Sequence, residues 1–146
     1  MGTLAAAYGA LTRTLGRDAT TLFSLTLDPT SASSTLSPGS PLSVRAPTAV
    51  DAVTVVAHYL RSTLNASFAW PGAGGVQLVN LPPPGSPLPP PAGGPITLTR
   101  TVPYTYYMNV VQNSYSNVWW NASRWQIEVD WVRQPTRAAF TVNPPP

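Results

Sequence analysis

A long run of alternating side chains, Ile96–Arg133, constrains the fold of this chain more than any other feature. In its first half the even-numbered positions are apolar or aromatic, except for Arg100, and the odd-numbered positions are mostly threonine. Alternation with a period of two is typical of a strand with one buried and one solvated face. The pattern returns at Trp125–Arg133 and, more briefly, at Ala138–Val142. The sequence therefore predicts three antiparallel strands that share one packed face.

Two segments before this run carry the helical pattern of apolar residues. Residues 3–15 present one apolar face, with Thr3 as the expected N-cap and a glycine directly after the segment as the expected end. Residues 48–64 form the stronger helical pattern. Thr48 and Asp51 at its start resemble a capping box, with Asp in place of the usual Glu. We expect this helix to pack against the sheet.

Shorter strands are predicted at Thr20–Leu27, Leu42–Arg45 and Val76–Leu81. The stretch Asp28–Pro41 is rich in serine and proline and is predicted to be a loop without regular structure. The expected fold class is mainly β (α+β), an antiparallel sheet or β-sandwich with one or two helices packed on it. We expect residues 1–146 to form a single domain.

Proline-rich segments occupy residues 82–95 and the tail 143–146. The first has a polyproline II composition interrupted by glycine. It is interpreted either as an arm that binds a neighbouring protein or as a stiff connection between strands. Because proline lacks the amide donor and Leu88 is its only large apolar residue, we expect little contribution to the stability of the isolated fold.

The chain carries unusually few charges. Charged residues make up 9% of it, against roughly 25% in typical soluble domains. The net charge of +3 comes from eight scattered arginines, so a nucleic-acid surface is not expected. A sparsely charged surface suits contact with neighbours. The expected partners are therefore other protein subunits in a homo- or hetero-oligomeric assembly.

Cysteine is absent, so neither a disulfide framework nor a thiolate metal site is expected. The first residues have no basic segment and no long apolar run, which makes a poor signal peptide. An apolar segment long enough to cross a membrane is not found either.

The search for catalytic groups leaves two weak candidates. His58, the one histidine, lies beside the apolar stripe of its helix and is expected to be partly buried. Glu128 and Asp130 lie roughly 7 Å apart along a strand face, a separation that glycosidases also use. Alternation puts both acidic residues on the polar face of the strand. The favoured interpretation is that they are solvated or pair with Arg100 or Arg137 across strands. We therefore expect no catalytic residue, metal or cofactor, and no enzyme.

An aromatic loop at Asn113–Trp125, together with three tyrosines on the strand before it, is the remaining candidate for a site. Exposed aromatics often mark contact with sugar, lipid headgroups or protein, although they can also cap the end of a core. Together with the proline segment they form the candidate contact surface, made of Tyr104, Tyr106, Tyr107, Tyr115, Trp119, Trp120, Pro82, Pro83, Pro84 and Leu88.

Two short stretches in this region are similar to a known family. Val102-Pro103-Tyr104 and Tyr115-Ser-Asn-Val-Trp-Trp-Asn121 resemble the Val-Pro-aromatic and Tyr-Ser-Asn-Trp-Trp stretch of the actinoporin pore-forming toxins. The match needs an insertion between the two halves and an extra Val118. The resemblance implies phosphocholine binding by the aromatics and membrane insertion of an amphipathic N-terminal helix.

The low charge and the proline-rich segments favour a non-enzymatic structural or assembly protein. The leading hypothesis is a virion component, such as a capsid-decorating or head–tail protein. The alternative is a β-sandwich binding module that docks on membrane headgroups or sugars through the aromatic loop. The expected location is the virion, or the extracellular space under the alternative.

Overall fold

The computed structural model of the chain describes residues 3–66 and 80–102. The described residues form two helices, a short 3-10 turn and four strands. Their bounds are Leu4–Leu15 for α1, Ala19–Thr21 for the 3-10 turn, Phe23–Leu27 for β1, Ser33–Ser37 for β2, Leu42–Ala46 for β3, Ala49–Leu64 for α2 and Ile96–Thr99 for β4. Within these described ranges, neither helix has the length and apolar character needed to cross a membrane.

The strands form one mixed sheet in the order β1-β3-β2-β4. β2 runs antiparallel to both of its neighbours, whereas β1 and β3 run parallel. The parallel pair arises because the connection 28–32 passes the end of β3, so that the returning β3 lies beside β1. The predicted α+β class is confirmed, but the sheet is not purely antiparallel. The described residues form this one sheet, and the β-sandwich form stays a prediction.

The two faces of the sheet differ sharply in chemistry. Inward-facing side chains are almost all apolar and pack under the helices, with Phe23, Leu36 and Val44 fully buried. The ring of Phe23 meets the ring of Tyr59 from α2 edge to face, with centroids 6.4 Å apart. The outer face carries hydroxyl groups and a single charge, from Ser24, Thr26, Ser33, Thr35, Ser37, Ser43, Arg45, Thr97 and Thr99. Helices therefore cover one face, and the other is polar.

Both predicted helices are confirmed, with their caps. The Thr3 hydroxyl accepts a hydrogen bond from the Ala6 amide, and α1 ends at Gly16, whose φ of 67° suits glycine. The Thr48 hydroxyl accepts from the Asp51 amide at the start of α2. The side chains of this second pair also bond to each other, instead of Asp51 returning to the Thr48 amide as in a capping box.

The prediction of a structureless loop at Asp28–Pro41 is wrong, because β2 lies inside it. This strand is Ser-Ser-Thr-Leu-Ser, in which Ser34 and Leu36 face inward and are buried. It pairs with β3 on one side and β4 on the other. Backbone pairing on both sides explains how so polar a segment becomes a central strand.

The proline segment 82–95 packs on its own domain. Leu88 is only 8% exposed and belongs to the core. The Tyr59 hydroxyl donates to the Pro89 carbonyl at 2.6 Å, and Arg17 donates to the Pro82 carbonyl at 2.7 Å. These contacts contradict the expectation that the segment adds little to the stability of the isolated fold. A projecting proline arm stays a prediction without structural support.

The remaining strand predictions are confirmed in part. β3 coincides with the run Leu42–Arg45, extended by one residue, and β1 is the second half of the run Thr20–Leu27. β4 is the beginning of the long alternating run. The rest of that run, most of the predicted strand Val76–Leu81, the runs at 125–133 and 138–142 and the tail 143–146 lie outside the described residues.

Candidate functional site

A polar cluster surrounds Asp51, the third residue of α2. One carboxylate oxygen accepts from Arg100 Nε at 3.1 Å and Nη2 at 2.7 Å. The other accepts from the Thr48 hydroxyl at 2.6 Å. Asp51 is 8% exposed and both of its oxygens accept hydrogen bonds, whereas the Arg100 side chain is 37% exposed. This cluster ties the start of α2 to the end of β4, 49 residues apart along the chain.

Sequence reasoning missed this link, although a signal was present. Arg100 occupies an even-numbered position in the alternating run, and the even-numbered side chains of β4 face the helices. A charge that follows the inward-facing side of a strand needs a buried partner. The sequence analysis named Arg100 as one alternative partner of Glu128 and Asp130, which lie outside the described residues, so that alternative stays a prediction. The structure shows that Arg100 forms an ion pair with Asp51.

Asp28 forms a second, more exposed ion pair. Its carboxylate accepts from the Thr30 hydroxyl at 2.6 Å and from Arg45 Nη2 at 2.6 Å. The Thr30 hydrogen bond, aided by Arg45, lowers the pKa of Asp28 to about 2. The carboxylate therefore stays ionised at any physiological pH and makes a poor proton donor.

Asp18 has a local structural role. It is the N-cap of the 3-10 turn and accepts from the Thr20 amide and hydroxyl, at 2.9 and 2.7 Å. The Thr20 hydroxyl lowers the pKa of Asp18. A general acid in a glycosidase needs the opposite shift, a raised pKa. Each of the three aspartates in the described residues is thus engaged in a cap or an ion pair.

His58 is exposed on the surface of α2, where partial burial was expected. Tyr59, the next residue, faces the core and is fully buried. His58 therefore points away from the core. Groups of three or more histidine and carboxylate side chains that could hold a metal do not occur in the part of the chain that the structure describes.

A cavity of about 340 Å³ opens between the 3-10 turn, the loop that ends β2 and the turn of the proline segment. Among the described residues, its wall offers hydroxyl groups and leucine side chains but no carboxylate, imidazole or cation. The cavity can accept a small molecule but has no group for acid–base chemistry. Its lining is Thr21, Leu22, Gly39, Ser40, Pro41, Leu42, Gly85, Ser86, Pro87 and Leu88.

The structure places four members of the candidate contact surface. Pro83 and Pro84 are exposed and Pro82 is half-buried, whereas Leu88 is buried in its own core and is not free to meet a partner. The tyrosine and tryptophan members lie outside the described residues, so this part of the surface stays a prediction. The partner subunits and the cellular location stay predictions as well.

Similarity to a curated protein gives the first indication of function. The chain is 42% identical over 91 residues to an alpha-N-acetylglucosaminidase from Homo sapiens. The matched region is 61% of this chain but 11% of the human protein. A search against protein-family models finds no match.

Solved structures with a similar fold are glycoside hydrolases as well. A family 89 glycoside hydrolase from Clostridium perfringens, solved with 2-acetamido-1,2-dideoxynojirmycin, superposes with a TM-score of 0.68 at 17% identity. A variant of the enzyme from this organism with two glutamates changed to glutamine, solved with its substrate GlcNAc-alpha-1,4-galactose, gives the same values. In both, the likeness covers 89% of this chain and 14% of the other.

These similarities overturn the functional predictions made from composition. A non-enzymatic assembly protein, a virion component and a headgroup- or sugar-binding module are each wrong, because the related proteins are enzymes that hydrolyse glycosides. Low charge and abundant proline do not distinguish a coat protein from one part of a large enzyme. The similarities point to glycoside hydrolases of the alpha-N-acetylglucosaminidase type as the relatives of this chain.

Proposed function

We propose that this chain is part of an α-N-acetylglucosaminidase-type glycoside hydrolase and forms an α+β domain that supports the catalytic part. The identity of 42% over 91 residues with the human alpha-N-acetylglucosaminidase carries the proposal. The fold of this chain is similar to part of a bacterial family 89 glycoside hydrolase, and this similarity supports the same assignment.

The three described carboxylates support a role outside the catalytic site, whereas Glu128 and Asp130 lie outside the described residues. Most glycosidases use two Asp or Glu side chains that flank the glycosidic bond, one of them with a raised pKa. The described aspartates are Asp18, Asp28 and Asp51, and each accepts hydrogen bonds from its own domain on at least one carboxylate oxygen. Two of them have a lowered pKa instead of a raised one. None suits the role of the acid.

The chain spans only a small part of the length of its relatives, which supports a role outside the catalytic site. It covers 11% of the human protein and 14% of each bacterial chain. The reaction would therefore depend on residues that this chain does not supply. The partner required by the proposal is the remainder of the enzyme, and its substrate class is a glycan with an α-linked N-acetylglucosamine unit.

Binding of an iminosugar tests the proposal without depending on turnover. We expect the complete product of the gene to bind 2-acetamido-1,2-dideoxynojirmycin in a calorimeter, whereas the 146-residue chain alone does not. The matched control is 1-deoxynojirimycin, which lacks the acetamido group and should bind about tenfold or more weakly, since a site built for that group is left unpaired. Equal binding of both compounds, or no binding by the complete product, would refute the proposal.

A further inference from the structure

The cavity of about 340 Å³ beside the proline segment has an apolar floor, and its lining consists of described residues. Leu22, Leu42 and Leu88 line it and are 8%, 1% and 8% exposed. Its volume lies near the lower end of the roughly 300–1,000 Å³ that ligand pockets span. A cavity of this size suits a molecule with a single ring.

Three hydroxyl groups from three separate segments line the same cavity, those of Thr21, Ser40 and Ser86. The Thr21 hydroxyl donates to the Asp18 carbonyl at 2.8 Å, which leaves its oxygen able to accept. The hydroxyls of Ser40 and Ser86 form no hydrogen bond to another residue of the described ranges. Both serines can therefore donate to a ligand and accept from it.

The backbone around the cavity has little freedom to move. Pro41 and Pro87 belong to the lining, and their rings fix the backbone φ. The Ser86 amide donates to the Pro83 carbonyl at 3.0 Å, which closes the turn between them. At Gly39 a Cβ atom would lie 2.6 Å from the Pro41 carbonyl oxygen, so the loop has no room for a side chain there. A wall that is fixed in advance loses little conformational entropy when a ligand binds.

We propose that this cavity binds the ring of an uncharged sugar. Its lining of described residues carries no charged side chain, so it offers no partner to a phosphate, a carboxylate or an amine. A sugar ring presents C–H groups on its faces and hydroxyl groups around its edge, and the cavity presents leucine side chains and hydroxyl groups together. A purely apolar molecule of the same shape would cover the two serine hydroxyls without pairing them, which costs binding free energy.

This inference rests on the wall of the cavity and not on the proposed function. The iminosugar that tests the proposed function has a basic ring nitrogen, and the described lining of this cavity has no carboxylate to pair with it. Binding of a neutral sugar here and binding of the iminosugar by the complete product can therefore succeed or fail separately.

Titration of the ¹⁵N-labelled 146-residue chain with methyl β-glucoside, followed by NMR, tests the inference. The amides of Leu22, Ser40 and Ser86 should shift and saturate with a dissociation constant on the order of 1 mM, as expected for a ligand of this size. The matched ligand is cyclohexylmethanol, which keeps a six-membered ring but has one hydroxyl, and it should bind at least about tenfold more weakly. Tighter or equal binding of cyclohexylmethanol, or shifts that do not saturate, would overturn the inference.

Variants of Ser86 locate the binding site. Ser86→Phe places a ring in the cavity and should abolish the saturating shifts. The matched control is Thr99→Phe, which places the same ring on the exposed face of β4, opposite Ser33 at the start of β2, whereas the cavity loop follows the end of β2. This control should bind the sugar as the unsubstituted chain does.

A smaller change keeps the test decisive if Ser86→Phe does not fold. Ser86→Ala deletes one hydroxyl and should weaken binding of methyl β-glucoside about three- to tenfold, while binding of cyclohexylmethanol stays the same or improves. Unchanged affinity of Ser86→Ala for the sugar would contradict the inference, as would binding that survives in a folded Ser86→Phe.

Discussion

Replacing Leu88 by alanine is expected to lower the free energy of unfolding by about 2–4 kcal/mol, the usual cost of deleting a buried leucine side chain. Leu88 is 8% exposed and belongs to the same core cluster as the helices and strands. The hydrogen bond from Tyr59 holds the adjacent Pro89 in place, and the bond from Arg17 holds Pro82 at the start of the segment. The surroundings therefore have little freedom to fill the void. Chemical denaturation of the 146-residue chain measures the change.

Pro90→Ala is the matched control for this prediction. Pro90 lies two residues from Leu88 in the same segment but is exposed, and its replacement should cost less than about 1 kcal/mol, mainly through the unfolded state. Similar values for the two variants would show that the proline segment does not contribute to the core.

Asp51→Ala is expected to destabilise the fold by about 1–2 kcal/mol, because it removes an acceptor from two donors, although the Arg100 side chain is 37% exposed and stays hydrated. These donors are the Arg100 guanidinium and the Thr48 hydroxyl. The better helix propensity of alanine offsets only a small part of the loss. Denaturation of Asp51→Ala, Arg100→Ala and the double variant would isolate the energy of the pair.

The other ion pair of the domain supplies the control for Asp51. Asp28→Ala removes the partner of Arg45, whose side chain is 64% exposed, and solvent screens such pairs strongly. The loss should be far smaller than for Asp51→Ala. Equal losses, or a coupling energy near zero between Asp51 and Arg100, would contradict a structural role for the link between α2 and β4.

Local chemistry explains which elements could be predicted from the sequence. Both helices are specified within their own segments, by an apolar stripe, by Thr3 or Thr48 at the start and by Gly16 after α1. β2 has no such local signal. Its outward serines and threonine resemble a loop, and its strand form depends on backbone bonds to β3 and β4. The burial of Leu88 likewise depends on tertiary contacts. A single leucine among prolines shows no periodic pattern of apolar residues that could predict its burial.

Polar contacts could likewise be predicted only when both residues lie in one local segment. Thr48 and Asp51 lie three residues apart, and the helix geometry brings them together. Arg100 meets Asp51 only because the sheet order carries β4 to the start of α2. The function is also invisible to a motif search, since the similarity to the human enzyme is spread over 91 residues and no catalytic pair lies in the described domain.

Hydrolysis of 4-nitrophenyl α-N-acetylglucosaminide by the complete product of the gene tests the central claim most directly. The complete product should release 4-nitrophenol from this compound and leave the β-anomer intact, while the 146-residue chain alone should release none above the uncatalysed rate. Hydrolysis by the isolated chain would contradict the supporting role assigned to this domain. Absence of hydrolysis by a folded complete product would contradict the assignment to this class of glycosidase.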